Sequence, residues 1–264
     1  MNRPAPSTPV PATNAASPTL LVFTLGDERE SRRRRLLPAD QGALERQLHR
    51  ACLDAALEAG REAGCRLAVS SPAAVEVAAD VYRHRQQGRS FGLRLRDAFA
   101  GALVEGGAVV LVGTDVPGLG TEHVRRALAA LDEDPERVVL GPSPDGGFYL
   151  LAAARPIDEA LAAAPWCCRR TLRSLARALR RQGRRVVLLP PLVDLDRRAD
   201  LERWLAASAA GRGSRFALLR RRLVDRLVEI LAEIRRASVF VPRPRLRPAA
   251  ARVLPVRGPP PRAL

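Results

Sequence analysis

Apolar residues follow two alternating rhythms along the chain. TLLVFTL (19–25), CRLAVS (65–70), AVVLVGT (108–114), RVVLG (137–141), FYLLAAA (148–154) and RRVVLLP (184–190) are short aliphatic runs, as expected of strands buried on both faces. Between them, apolar residues recur at helical spacing. Leu44, Leu48, Ala51 and Leu57 predict a helix over 39–63 that Gly64 ends. Further helices are expected over 93–103, over 122–131 with Thr121 as N-cap, over 169–181, and after Asp196. The Arg- and Gln-rich stretch before Leu93 shows no clear rhythm. Strands alternating with helices predict an α/β fold, with a mostly parallel sheet covered by helices on both faces. No internal repeat is visible.

Two segments fall outside this alternation. Residues 1–18 are rich in Pro, Ala, Ser and Thr and lack a compact apolar segment, so they read as a disordered leader and not as a signal peptide. FALLRRRLVDRLVEILAEIRRASVFV (216–241) places apolar residues at 216, 219, 223, 227, 230 and 234, which predicts a basic amphipathic helix. Three seats are open to it: its own domain, another subunit, or an anionic membrane surface. A Pro/Arg-rich tail follows, expected to be disordered. The chain thus divides into a leader (1–18), a main domain (19–209) and a basic C-terminal extension (210–264).

Composition adjusts this picture in three ways. The 264 residues, 47% hydrophobic, suffice for one core with appendages. No apolar run approaches the ~20 residues needed to span a bilayer, so a cytoplasmic location is expected. The net charge of +16 is uneven, because residues 212–264 hold 14 Arg against three acidic residues. Basicity belongs mainly to the extension and is not a nucleic-acid footprint of the main domain. The chain contains no lysine, so every long cationic side chain is Arg. The four cysteines (52, 65, 167, 168) form no metal-binding pattern and are expected as free thiols; the three histidines (49, 84, 123) are expected on solvated helix faces.

Candidate chemistry lies at the strand ends. Asp115 ends an apolar strand, and Pro117 forbids the strand to continue, which leaves a carboxylate at the rim of the sheet. In open α/β sheets that rim is where ligands bind, and a carboxylate there suits Mg²⁺ or Mn²⁺; it also suits plain capping of the next loop. Asp145 precedes Gly146 and Gly147 in GPSPDGGFYLL (141–151), which reads as a ligand-contacting loop or as a hairpin turn. Asp194 and Asp196 follow the last strand, as metal ligands or as a helix N-cap.

Taken together, VLVGTDVPGL, VVLGPSPDGGFYLL, the pair Pro165-Trp166 and DLDRRADL resemble the bacterial domain-of-unknown-function 2064 family over about residues 19–208. That family is generally described as a GT-A-type glycosyltransferase, similar to cofactor nucleotidyltransferases. The resemblance implies a Rossmann-like GT-A fold in the nucleotide-diphospho-sugar transferase superfamily. The family's first strand leads into a loop of the type K-x-P-x-x-G-x-x-K-T-R-L-x-P. The corresponding stretch here is LGDERESRRRRLLP (25–38): Arg35, Leu36 and Pro38 match, Arg33 replaces Lys, Arg34 replaces Thr, and the loop's glycine and proline are missing. In QQGRSFGLRLRDAF (86–99), Gly92 and Arg94 match and Ser90 replaces an acid. PWCC departs from the family's Ser or Thr after the Trp.

The resemblance also implies roles. Asp115 and Asp145 become the catalytic carboxylates. Asp115 with Asp196, or Asp194 in its place, would hold a divalent metal. Arg33, Arg35 and Arg94 would bind the nucleotide phosphates. Asp145, Gly146, Gly147 and Trp166 would contact the sugar or the acceptor. The expected activity is metal-dependent glycosyl transfer from a nucleotide-activated donor to an unidentified acceptor. Nucleotidyl transfer uses the same carboxylates and is the first alternative. A non-catalytic nucleotide-sugar-binding or partner-binding protein is the second. No catalytic base is identifiable.

Overall fold

The computed structural model describes residues 17–104, 107–207 and 220–239. The expected leader (apart from its last two residues), the boundary at 209/210 and the Pro/Arg tail lie outside them. All six expected strands form: β1 (Thr19–Phe23), β2 (Arg66–Ser71), β4 (Val109–Val112), β5 (Arg137–Pro142), β6 (Phe148–Ala153) and β7 (Arg185–Leu188). A seventh, β3 (Val81–Arg85), occupies the stretch without rhythm. It is an edge strand, in which only Val81 is buried, and its Tyr82, Arg83 and Arg85 face solvent. Charge on an edge discourages pairing with other chains, and it also erases the hydrophobic signal.

The sheet order is β3-β2-β1-β4-β6-β5-β7. Every neighbouring pair is parallel except those of β6, which runs antiparallel to both β4 and β5. Alternate residues of each strand enter opposite cores. Leu20, Val22, Val110, Val112, Leu150 and Ala152 pack under α2 (Gly42–Glu62) and α4 (Thr121–Glu133). Leu21, Leu111, Leu140, Leu151 and Ala153 pack under α3 (Phe91–Val104), α5 (Asp158–Ala163) and α6 (Thr171–Arg181). The fold is therefore mixed α/β, with a mostly parallel sheet between two helical layers.

Two further helices build a satellite core on the outer face of α2. Trp204 and Leu205 of α7 (Arg198–Ala207) and Leu227, Ile230 and Leu231 of α8 (Arg221–Val239) meet Leu36, Leu37, Leu48 and Cys52 there. Ion pairs Arg220–Glu58 and Arg235–Glu202 flank this contact at 3.1 and 2.9 Å. The described part of the basic helix packs its apolar stripe on its own domain.

Three local expectations are corrected. Thr121 is the first residue of α4 and does not cap it; its hydroxyl donates to Glu62 at 2.6 Å. His49 and His123 are buried, and His84 stands on β3, so solvated helix positions describe none of the three. The stretch 27–34 is a helix, α1 (Asp27–Arg34), where a phosphate loop was expected. Charge explains it: Asp27, Glu28 and Glu30 fill the first turn, Arg32, Arg33 and Arg34 the last, and Glu28–Arg32 and Glu30–Arg34 pair at i,i+4. Each arrangement complements the helix dipole.

Candidate active site

The carboxyl ends of β1, β4, β5 and β7 share one edge of the sheet, and the chain crosses that edge after β7. Leu189 N donates to Leu140 O (2.9 Å), Leu192 N to Pro142 O (3.1 Å) and Leu195 N to Asp115 O (2.8 Å). The Tyr149 hydroxyl donates to Pro190 O at 3.0 Å. This strap is extended, so Asp194 and Asp196 fall on one side while Leu195 between them is fully buried. The result is a cluster in which Asp115, Asp194 and Asp196 each offer an oxygen within 4.8 Å of the others. Gly113 lets Asp115 fold back over the end of β4, because a Cβ there would stand 2.5 Å from its Oδ1.

Arg34 fills the space between two of these carboxylates. Its Nη2 donates to Asp115 Oδ2 at 2.6 Å, its Nη1 to Leu195 O at 3.0 Å and also to Asp196 Oδ1, and its Nε to Glu30 Oε2 at 3.2 Å. Its side chain is 8% exposed, against 22% for Asp115 and 42% for Asp196. Burial works against its charge, but Asp115, Glu30 and Asp196 outweigh that and hold its pKa above the ordinary value. Two clamps aim α1. Glu30 Oε1 accepts from Leu25 N (3.1 Å) before it, and Glu45 accepts from Leu36 N (2.9 Å) and Leu37 N (3.1 Å) after it.

Asp194 is the member without a cation. It makes no ion pair among the described residues. Burial, then the charges of Asp115, Asp145 and Asp196, push its pKa up to about 7. Asp196 is raised as well, by burial first, with Arg34 opposing and Asp115 adding. The cluster is thus short of positive charge even with Arg34 in place. Three hard carboxylate oxygens converging at a sheet edge suit Mg²⁺ or Mn²⁺, so the residues fit the expected divalent cation.

The cluster forms one wall of a cleft of about 850 Å³. An aromatic wall faces the same space. Phe23 meets Phe91 edge-on at 5.6 Å between ring centres, Phe91 meets Trp166 at 5.4 Å, and Phe148 meets Trp166 at 6.1 Å. Trp166 Nε1 is tied to Leu161 O at 3.1 Å. Arg33, Arg94, Arg169 and Arg197 also line the cleft, and none of their guanidinium groups has a carboxylate partner among the described residues. Arg94 Nε is buried without a hydrogen-bond partner.

Of the residues expected at the site, Asp115, Asp145, Asp196, Arg33, Arg94, Gly147 and Trp166 line this cleft, and Asp194 joins them. Arg35 and Gly146 do not. Arg35 is the left-handed C-cap of α1, exposed, with its Nε on Arg32 O at 3.3 Å. Gly146 has φ +93, and an added Cβ would collide with the Arg169 carbonyl, so its close neighbour is its own chain. Residues 143–147 form the turn of the β5–β6 hairpin, in which Asp145 Oδ1 accepts from Gly147 N at 2.7 Å. Asp145 faces the cleft but stands outside the three-carboxylate group. Sequence reasoning missed Arg34 and Glu30. The acid-to-base polarity of 27–34 and the i,i+4 spacing of that pair were the available signals.

Residues 46–168 match the family model described as an uncharacterized protein conserved in bacteria (DUF2064). The chain resembles that family. The DUF2064 match includes Asp115, Asp145, Arg94 and Trp166 and leaves out Arg34, Asp194 and Asp196. Among solved structures, one from Desulfovibrio desulfuricans G20, named as a candidate nucleotide-diphospho-sugar transferase, is 22% identical. It covers 79% of this chain and 97% of its own, with a TM-score of 0.63, and shows the shared fold. Rv0371C from Mycobacterium tuberculosis H37Rv, in complex with manganese, is 21% identical with a TM-score of 0.42, covering 72% and 98% of the two chains. A CMP:2-keto-3-deoxy-manno-octonic acid synthetase complexed with CTP is 15% identical with a TM-score of 0.44, covering 74% and 100%. These names belong to the nucleotide-sugar and nucleotidyl transferase class. No curated protein matches the chain. Among the described residues, no helix is long and apolar enough to cross a membrane.

Proposed function

We propose that the protein is a metal-dependent transferase that moves a sugar from a nucleotide-activated donor to an acceptor. The observation that carries this reading is one cleft with a carboxylate cluster on one wall and Phe91, Phe148 and Trp166 on another. Aromatic faces suit a sugar ring or a base, and Asp145 at the hairpin turn can accept hydrogen bonds from sugar hydroxyls. Arg33 and Arg94 are free to meet the phosphates, and a planar guanidinium can do so through two bonds at once. Asp115, Asp194 and Asp196 would hold the metal, which would supply Lewis-acid stabilisation of a leaving diphosphate. The aromatic wall excludes water from the face on which the sugar lies. The acceptor oxygen enters from the open side, and a nucleoside diphosphate leaves.

Nucleotidyl transfer is the second reading, favoured by the surplus of unpaired arginines in the cleft, which suits the larger charge of a triphosphate. Products separate the two. With nucleotide sugars, Mn²⁺ and an acceptor extract, glycosyl transfer consumes the sugar donor and releases a nucleoside diphosphate. Pyrophosphate released from a nucleoside triphosphate, with nucleotide sugars left intact, establishes nucleotidyl transfer. Donor binding with neither product assigns a non-catalytic binding role.

A further inference from the structure

We infer that Arg34 is a built-in counter-cation that competes with a divalent metal for Asp115 and Asp196, so that the nucleotide-free protein holds Mn²⁺ weakly. The inference rests on the reading of the carboxylate cluster as a cation site, and it concerns metal binding alone.

Four observations carry it. First, a cation is already seated in the cluster: Arg34 bonds one oxygen each of Asp115 and Asp196, two of the three candidate ligands. Second, the Arg34 side chain is more buried than Asp115 or Asp196, and two further bonds, to Leu195 O and Glu30, hold it. It is a fitted part of the site and not a surface side chain that strays inward. Third, its backbone is fixed on both sides, by Glu30 on Leu25 N and by Glu45 on Leu36 N and Leu37 N. Fourth, Arg34 is the last residue of α1, and the C-terminal end of a helix favours a cation at that position.

The physical consequence follows from Coulomb's law. A dication coordinated by Asp115 and Asp196 would share those carboxylates with a guanidinium at van der Waals range. In a half-buried site the repulsion is weakly screened. Asp194, which has no cation partner among the described residues, is the ligand left free. Metal therefore binds through Asp194 with partial help from the other two, or with Arg34 displaced. An incoming diphosphate offers the guanidinium another anion and so couples nucleotide binding to metal binding.

The test measures Mn²⁺ binding by calorimetry and by water-proton relaxation, without nucleotide, on the full chain. Arg34→Met removes the charge and keeps an apolar stem; Arg34→Gln removes it and keeps hydrogen bonding; Arg34→Lys keeps it. Both neutral variants are expected to bind Mn²⁺ at least about tenfold more tightly than the natural protein, with Arg34→Lys close to it. Mn²⁺ should raise the melting temperature of the neutral variants and move that of the natural protein little. Adding Asp115→Asn and Asp196→Asn to Arg34→Met should abolish the gain, since these are the carboxylates that Arg34 holds. Equal Mn²⁺ affinity in the natural protein and the neutral variants overturns the inference. So does a gain that survives loss of both Asp115 and Asp196, which would place it elsewhere, or neutral variants that stay unfolded in millimolar Mn²⁺, since the cluster would then need the guanidinium itself. Because no nucleotide is present, any of these failures leaves the transferase reading to its own product assay.

Discussion

Asp115 and Asp194 belong to one cluster but to different electrostatic situations. Asp115 is paired with Arg34 at 2.6 Å, whereas Asp194 has no cationic partner among the described residues. Asp115→Asn is nearly isosteric at a rim position, so the fold should persist in thermal melts. Metal-dependent turnover should fall by about a hundredfold or more, ~3 kcal/mol of barrier, in steady-state assays. Asp194 carries a pH signature. Its carboxyl titrates at about 7 in the folded chain, against an ordinary value of 3.8. Between those values the folded protein holds a proton that the unfolded chain has lost. The stabilising contribution is therefore complete below the lower value and is lost as pH rises through the upper one. In metal-free buffer, Asp194→Asn should melt above the natural protein at pH 8, and the difference should shrink toward pH 4. A difference independent of pH would mean that Asp194 is ordinarily ionised and that burial and its acidic neighbours do not act on it.

Among the elements, α1 and α8 show how polar sequence acquires a fixed place. α1 has no apolar stripe; it is held by charge order along its axis and by its clamps, and so it carries Arg33 and Arg34 to the cleft edge. α8 is held in the ordinary way, with Leu227 fully buried and Ile230 and Leu231 beside it. Leu227→Ala should cost about 2–5 kcal/mol in urea denaturation, since it opens a cavity where α2, α7 and α8 meet. The β5–β6 hairpin depends on Gly146, whose positive φ and contact with Arg169 O leave no room for a side chain. Gly146→Ala should lower stability by about 1–3 kcal/mol or more, and should loosen Asp145 through the turn both share. Comparing melting temperature with donor affinity for this variant separates the two effects.

For the whole molecule, the cleft lies at the carboxyl edge of the sheet and α8 on the outer face of α2, so α8 and the site are distinct parts of one fold. Removing residues 214–264 should expose Leu36, Leu48 and Trp204 and lower the melting temperature, while leaving nucleotide binding in place. Binding lost from a truncated protein that is still folded would place the extension in the site. The alternation of strands and helices, the position of the rim acids and the amphipathic character of α8 were all legible along the chain. Each is written in local periodicity or in a residue's position relative to a strand end, which neighbours along the chain decide. The sequence did not reveal β3, because an edge strand can be charged on most of its positions. It did not reveal α1 either, because charge pairs stand in for an apolar stripe. The composition of the site was decided only in three dimensions. Asp115 and Asp196 were separately legible, but their meeting depends on Leu195 N reaching Asp115 O across the ends of intervening strands. Arg34 looked like one of four consecutive arginines. What distinguishes it is that one turn of helix, fixed at Leu25 and at Leu36, aims that guanidinium and not its neighbours at two carboxylates 81 and 162 residues away. Such a choice depends on the relative placement of three elements in space, and no local pattern in the chain encodes it.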